Sequence, residues 1–198
     1  MPCETSRPRR HDAPGCQSRE PLERHPTLAA VVRAYVANHR AKAADELDGF
    51  RIEPSLPAAI ERAGMAQRRD GKRYDHQRRL SREVLRTATA ALHRASLADA
   101  KNFADLHRRV KEALGRVSGV GELMLYDTTL RIGAHLGLLP ETVYLHGGTR
   151  QGARALGLDW RADHLEVADL PGEGLQALAL HEIEDCLCIY KDRLKTSV

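Results

Sequence analysis

The sequence predicts an all-α protein, a compact multi-helix domain. Hydrophobic residues make up 42% of its 198 residues, which is enough for a core, whereas aromatic residues make up only 4%. Such a core consists mainly of Leu, Ala and Val side chains packed between helices. Runs of β-branched residues, which favour strands, are rare. Apolar residues recur at helical spacing in segments that are separated by Gly, Pro or capping residues.

Residues 1–25 are predicted to be a disordered basic tail. This stretch is rich in Pro, Arg, Glu and Ser and nearly lacks apolar side chains. It therefore cannot bury enough surface to offset the entropy cost of ordering. Residues 26–195 are predicted to form a single α-helical domain, because this length fits one core.

Helices in the first half of the chain begin at residues that can cap them. Thr27, Ser55 and Ser81 each precede an apolar pattern of helical spacing. Their hydroxyl oxygens can accept hydrogen bonds from the free N–H groups of a first turn. Gly49 is expected to end the first helix. The predicted helices of this half are Thr27–Leu47, Leu56–Ala66 and 82–95.

In the second half, glycines separate the helical patterns. Gly137, followed by Pro140, is typical of a helix end. We expect Val143–Leu145 to be extended, Gly147 and Gly148 to turn the chain, and residues 159–173 to form a loop. The predicted helices of this half are Phe103–Leu114, Glu122–Leu136, Thr149–Leu156 and Leu175–Leu194.

The charge of the chain permits nucleic-acid binding. The net charge is +4 with a pI of about 9.0, and residues 67–86 carry eight basic against three acidic side chains. One interpretation is a loop that contacts phosphates, with Tyr74 free to stack on a base. The alternative is a solvated linker. The loop residues predicted to bind nucleic acid are Arg68, Arg69, Lys72 and Arg73.

The four cysteines indicate no disulfide framework. Cys3 and Cys16 lie in the predicted tail, and Cys186 and Cys188 are separated by one residue. No apolar stretch is long enough for a signal peptide or a membrane span. A cytoplasmic location without a membrane partner is the resulting expectation.

A short turn between two helical patterns is the most distinctive stretch. The run Val117-Ser118-Gly119-Val120-Gly121 precedes the helix predicted over Glu122–Leu136. Glycine permits positive φ or close backbone approach in such a turn. We expect the N–H groups of Gly119, Val120 and Gly121 to lie at the N-terminus of that helix, where partial positive charge and free donors suit a phosphate oxygen.

This run resembles the helix-hairpin-helix motif, predicted here over residues 103–136. More widely, Phe103–Leu158 resembles the corresponding part of the helix-hairpin-helix DNA glycosylase superfamily, the endonuclease III-like proteins. The resemblance implies a hairpin that docks on DNA, followed by a capped helix, an extended link and a further helix that begins at Thr149-Arg150.

The chain departs from that superfamily at its catalytic positions. Glu122, Leu123 and Met124 stand where bifunctional members place a lysine, and Leu125 stands where a small residue is usual. The link before the last helix offers Glu141, Tyr144 and His146 but no aspartate, and the four-cysteine iron–sulfur loop is missing from the sequence. The resemblance therefore implies DNA binding more than glycosylase chemistry.

His146 and Asp127 are the candidate catalytic residues. His146 lies in Tyr-Leu-His-Gly-Gly-Thr-Arg, whose glycines could admit a ligand and whose Thr149 and Arg150 could hold a phosphate. The alternative is a buried histidine that caps a helix, with glycines needed for the turn. Asp127 near His146 would be an acid–base pair, whereas Asp127 with Arg131 is ordinary helix-surface pairing.

The C-terminal run from His181 to Cys188 contains metal-ligating side chains. In a helix, however, Cys186 and Cys188 point to different sides, whereas a tetrahedral site needs converging ligands. A core helix with buried cysteines is the preferred interpretation. No metal and no cofactor are predicted.

The sequence thus predicts a protein that contacts the phosphate backbone of nucleic acid, duplex DNA in particular, in DNA repair or processing. Thr149, Arg150 and Arg154 are the further residues predicted to bind phosphate. One alternative is an enzyme that acts on a nucleotide or damaged base with Asp127, His146 and Arg150. The other is a scaffold whose hairpin only packs helices and whose partner is another protein.

Overall fold

The computed structural model of the protein describes residues 26–194, apart from the side chain of Glu173. The predicted tail over residues 1–25 lies outside the described residues. The all-α prediction is confirmed: the described chain is mostly helical. Its named strands are β1, Val143–Tyr144, and β2, His164–Leu165, which pair antiparallel with Val143 opposite Leu165.

The helices are short and follow one another closely. A π-helical segment, Val36–Arg40, joins the first two without a break, and 3-10 turns lie at Asp75–Gln77, Leu97–Asp99 and Val167–Asp169. The helices are α1 Leu28–Tyr35, α2 Ala41–Arg51, α3 Leu56–Gly64, α4 Arg82–Arg94, α5 Phe103–Leu114, α6 Glu122–Leu136, α7 Gly147–Ala155, α8 Gly172–Leu175 and α9 Leu180–Ile189.

The predicted helix caps are confirmed at residues that lie next to the helix ends they cap. The hydroxyl oxygens of Thr27, Ser55 and Ser81 accept hydrogen bonds from the first turns of α1, α3 and α4. The predicted bounds of α5 and α6 agree with the structure, and Gly137 ends α6 with a φ of 74°. Side-chain capping and the left-handed glycine satisfy groups that the helix ends leave free.

Three predicted boundaries are wrong. The first helix does not end at Gly49, because this glycine is buried inside α2, with the Arg62 guanidinium packed against it. The helix predicted from Thr149 begins at Gly147 instead, since the Arg150 N–H already bonds the His146 carbonyl at 2.8 Å. The last helix is only Leu180–Ile189, because the backbone is extended at Ala179, with φ −68° and ψ 157°, and leaves the helical conformation at Tyr190.

The buried apolar residues form two clusters. The first lies among α2, α3, α4, α5 and α6, with Phe50, Leu85 and Ile132 at its centre. The second lies among α1, α7, α8, α9 and the strands, with Tyr35 and Ile183 at its centre. Helix α6 contacts α2, α3 and α5. Because α2 belongs to the first cluster and α1 to the second, the continuous helical stretch from α1 to α2 takes part in both. Among the described residues, no helix is both long and apolar enough to cross a membrane.

Candidate functional site

In the turn between α5 and α6, one of the two glycines has the backbone conformation that the hairpin prediction requires. Gly119 has a φ of 91°, a left-handed conformation that side chains other than glycine rarely adopt. The Val84 methyl carbons lie 3.4 and 3.6 Å from the position that a Cβ of Gly119 would take, so the turn rests on α4. Gly121 is extended and precedes α6 without a side-chain cap.

One predicted donor of this turn is already used. The Val120 N–H donates to the Val117 carbonyl at 3.2 Å, so it is not free for a phosphate. Since no side chain caps α6, the first turn of the helix also offers free N–H donors at this end. Glu122 in that turn is exposed and lies 3.4 Å from Arg150, which balances its charge.

A basic groove of about 830 Å³ runs beside the hairpin, between α4 and α5. Arg108 is paired with Asp105 and Glu112, and Arg109 donates to Asp105 and to the Ser96 carbonyl. The other three basic side chains are exposed and form no ion pair among residues 26–194. The charged residues of this groove are Arg94, Arg108, Arg109, Lys111, Glu112 and Arg116.

The basic groove was not predicted from the sequence. Its residues come from the end of α4, from α5 and from the turn after α5, so no single stretch carries the signal. The clue to this groove in the sequence is that Arg108, Lys111 and Arg116 lie on or just after the helix that leads into the hairpin.

The loop over residues 67–81 is tied down by its own side chains. Arg73 donates to the Leu80 carbonyl at 2.6 Å, and Arg68 pairs with Asp75 at 3.3 Å. Lys72 is exposed and lies 3.7 Å from Asp70. Of the four basic loop residues predicted to bind nucleic acid, Arg68 and Arg73 thus support the loop itself, whereas Lys72 and Arg69 are exposed.

Tyr74 is not free to stack on a base. It is 6% exposed, and the Arg131 guanidinium lies 3.8 Å from the centre of its ring. The aromatic ring is therefore already stacked on a buried cation, which stabilises the loop against α6.

Asp127 and Arg131 belong to a buried network rather than to a helix surface. The Arg131 side chain is 3% exposed and donates to Glu46 at 2.9 Å and to Gln77 at 3.0 Å. Asp127 accepts hydrogen bonds from His76 at 2.7 Å and Gln77 at 3.1 Å. Burial raises the pKa of Asp127, but Arg131 and His76 lower it by more, so the carboxylate stays ionised.

His146 pairs with Glu184, a partner that the sequence analysis did not assign to it. The His146 Nε2 is hydrogen-bonded to Glu184, and the Thr149 hydroxyl bonds both, at 2.9 and 2.8 Å. Burial lowers the pKa of His146, but the hydrogen bond and charge of Glu184 raise it by more. His146 precedes α7 but caps it with no side-chain hydrogen bond. The Glu184 carboxylate therefore favours the protonated form of His146.

The glycines of α7 allow close packing against α9. A Cβ on Gly148 would overlap the Cys188 sulfur, and a Cβ on Gly152 would overlap the Leu187 carbonyl. Gly147 and Gly148 lie in the first turn of α7, which corrects the prediction that these two glycines turn the chain. Gly148 and Gly152 bring α9, and with it Glu184, within reach of His146.

His146 lies between two cavities. A central cavity of about 320 Å³ also contains Asp127, and a neighbouring pocket of about 220 Å³ also contains Arg150. The three proposed catalytic residues therefore do not meet in one space. The polar residues of the central cavity are His39, Lys42, Glu46, His76, Asp127, His146, Glu184, Asp185 and Cys188.

The neighbouring pocket of about 220 Å³, here called the aromatic pocket, is lined by aromatic side chains. Its aromatic residues are His107, Tyr126, Tyr144, His146 and His164. The rings of His107 and Tyr144 lie 4.7 Å apart, and those of Tyr126 and Tyr144 lie 5.9 Å apart. Lys111 lines both this pocket and the basic groove, so the two open beside each other.

The residues predicted to bind phosphate around α7 have other contacts. Thr149 is fully buried, with its hydroxyl on Glu184. Arg150 donates to the carbonyls of Trp160 and Ala162, which fastens α7 to the loop before β2. Arg154 is exposed and lies over the Trp160 ring at 5.4 Å. Of the three, Arg154 is the side chain that reaches the surface.

Comparisons with known proteins give no relative for this arrangement. No family model matches the chain, and no curated protein and no solved structure is significantly similar to it.

Proposed function

We propose that the protein binds duplex DNA through its helix-hairpin-helix, formed by α5, the turn at residues 115–121 and α6. The observation that carries the proposal is the basic groove beside the hairpin, which holds five basic side chains against one acidic side chain. Such a surface attracts the phosphate backbone by charge.

The groove and the first turn of α6 supply two kinds of group that bind phosphate in proteins, basic side chains and backbone N–H groups. Arg94, Lys111 and Arg116 provide exposed positive charge. The first turn of α6 provides backbone N–H groups, and the helix dipole adds partial positive charge there. Contacts of this kind position a protein on DNA and do not read its sequence. The resemblance to DNA glycosylases suggests a role in DNA repair or processing, and we place that role in the cytoplasm.

The test is binding of a fluorescently labelled duplex, measured by anisotropy at low salt. We expect the unmodified protein to bind duplexes of unrelated sequence with similar affinity, and the double variant Lys111→Gln, Arg116→Gln to bind at least about tenfold more weakly. The double variant Arg33→Gln, Arg193→Gln is the matched control, because it also removes two positive charges from exposed residues that lie outside the groove. Equal weakening by both variants would mean that net charge, and not the groove, binds DNA.

A second candidate is an enzyme that acts on a base turned out of the duplex. The observation that favours it is that the aromatic pocket adjoins the basic groove and has His146 in its wall. Aromatic rings can stack on an extruded base, and His146 with Glu184 can transfer a proton. Turnover of a duplex with a damaged base that is lost in His146→Ala would support this candidate. If the parent turns over none of the lesions tested, the binding function stands alone.

A further inference from the structure

We propose that His146, Glu184 and Cys188 bind one divalent transition-metal ion of the Zn²⁺ type at the wall of the central cavity. One ligand atom of each residue lies within 4.8 Å of the other two. Zn²⁺ binds nitrogen, oxygen and sulfur ligands at about 2.0–2.3 Å. Donor atoms this close together can therefore converge on one ion after small side-chain rotations.

The positions of these residues on their helices explain why they meet. Glu184 and Cys188 are four residues apart on α9, so they lie on one face of that helix. His146 comes from the residue before α7, the helix that packs on α9. Cys186, by contrast, is fully buried in the second apolar cluster. The two cysteines thus point to different sides of α9, as the sequence predicted. Cys188 nevertheless lies close to two further candidate ligands, His146 and Glu184.

An unpartnered buried atom indicates that a ligand belongs here, and a glycine explains how the side chains come together. The His146 Nδ1 is buried and has no hydrogen-bond partner among the described residues, a state that is costly for a polar atom. Gly148 leaves the space that the Cys188 sulfur occupies, because a Cβ there would overlap that sulfur and lie 3.7 Å from the His146 Cε1. The missing side chain at position 148 therefore places sulfur and imidazole side by side.

The surrounding charges favour a cation. Glu46 and Asp127 line the central cavity but share Arg131, whereas Glu184 and Asp185 line it without an Arg or Lys partner among the described residues. A neutral imidazole, a carboxylate and a thiolate balance the charge of a divalent ion. Three protein ligands also leave a fourth tetrahedral position for water on the side of the cavity. Thr149, which bonds both His146 and Glu184, orients the ligands and is a positioning residue.

Titration with Co²⁺ tests this site without any assay of activity. The full chain, stripped of metal by a chelator, is titrated with Co²⁺ and followed by absorption. We expect one Co²⁺ per chain, with a thiolate-to-metal charge-transfer band in the near ultraviolet. Prior addition of Zn²⁺ should abolish that band, since Zn²⁺ competes for the same ligands. A parent protein without the band would overturn the proposal.

Variants assign the band to its ligands. Cys188→Ala should lose the band, whereas the matched control Cys186→Ser and the double variant Cys3→Ser, Cys16→Ser should keep it. Thr149→Val should keep the band with an affinity about 10–100-fold lower. Circular dichroism checks that each variant folds. A band that persists in folded Cys188→Ala, or that disappears in the Cys3, Cys16 variant, would contradict the assignment. Neither result depends on DNA binding.

Discussion

A single histidine at the edge of the aromatic pocket connects pH to stability. His107 is packed between Phe103 and Tyr144, with ring centres 6.4 and 4.7 Å away. Burial, together with the charge of Lys111, lowers its pKa from 6.5 to about 4. The folded protein therefore keeps His107 neutral at a pH where the unfolded chain protonates it.

The sign of the resulting effect follows from proton binding. Between pH 6.5 and about 4 the unfolded chain binds a proton at His107 that the folded protein does not. The free energy of unfolding must then fall as the pH falls through this window. We expect a loss on the order of 1 kcal/mol, since partial exposure of His107 screens the effect.

Urea unfolding at several pH values measures this loss. His107→Gln should flatten the dependence on pH between 6.5 and 4, whereas the same change at the exposed His93 should leave it as in the parent. An equally steep dependence in His107→Gln would show that other groups cause the acid sensitivity.

The two hairpin glycines differ in what a side chain would cost. Gly119 has a positive φ, which strains any other side chain, while Gly121 is extended with no atom within 4 Å of a Cβ. We expect Gly119→Ala to lower the free energy of unfolding by about 1–2 kcal/mol, and Gly121→Ala to change it by less than about 0.5 kcal/mol. Equal effects in urea unfolding would contradict the turn geometry.

At the scale of elements, the loop over residues 67–81 is held to α6 by one buried cation. Arg131 contacts Glu46, Gln77 and the Tyr74 ring, and its Nη2 lies 3.8 Å from Asp127. We expect Arg131→Met to lower the free energy of unfolding by about 3–5 kcal/mol, because Asp127 would lose its buried counter-charge. A double variant, Arg131→Met with Asp127→Asn, should recover part of the loss, as thermal or urea unfolding would show.

Local signals explain which elements the sequence predicts well. Ser81 and Gly137 act within one helical turn of their own position, and the helices they cap or end were predicted close to their true bounds. Gly147 and Gly148 mislead, because glycine is typical of turns, but here Gly147 begins α7 and Gly148 allows α7 to pack closely against α9. Only the partner helix α9 reveals that use, and it lies about forty residues later in the chain.

The candidate site is less predictable because its contacts join distant residues. His146 and Glu184 are 38 positions apart, and Arg131 meets Glu46 across 85 positions. The i,i+4 spacing of Asp127 and Arg131 is typical of a pair on a helix surface, and no apolar pattern can show that a charge is buried with a partner. The residue types of Asp127 and His146 identify them as candidate functional residues. Their partners His76 and Glu184 can be identified only from the tertiary structure.

At the scale of the whole molecule, the hairpin, the basic groove and the aromatic pocket lie next to one another. Lys111 borders the groove and the pocket, and Glu122 at the start of α6 borders the pocket. His146 connects that pocket to the central cavity, where the proposed metal ligands lie. In the proposed complex, DNA bound in the basic groove would therefore lie next to the aromatic pocket.

The salt dependence of duplex binding tests the central claim most directly. Three exposed cations of the basic groove, Arg94, Lys111 and Arg116, are not paired among residues 26–194. If each neutralises one phosphate, the logarithm of the binding constant should fall with the logarithm of salt concentration with a slope of about −3. Arg116→Gln should reduce that slope by about 1. Binding that is absent at low salt, or that does not change with salt, would contradict the account.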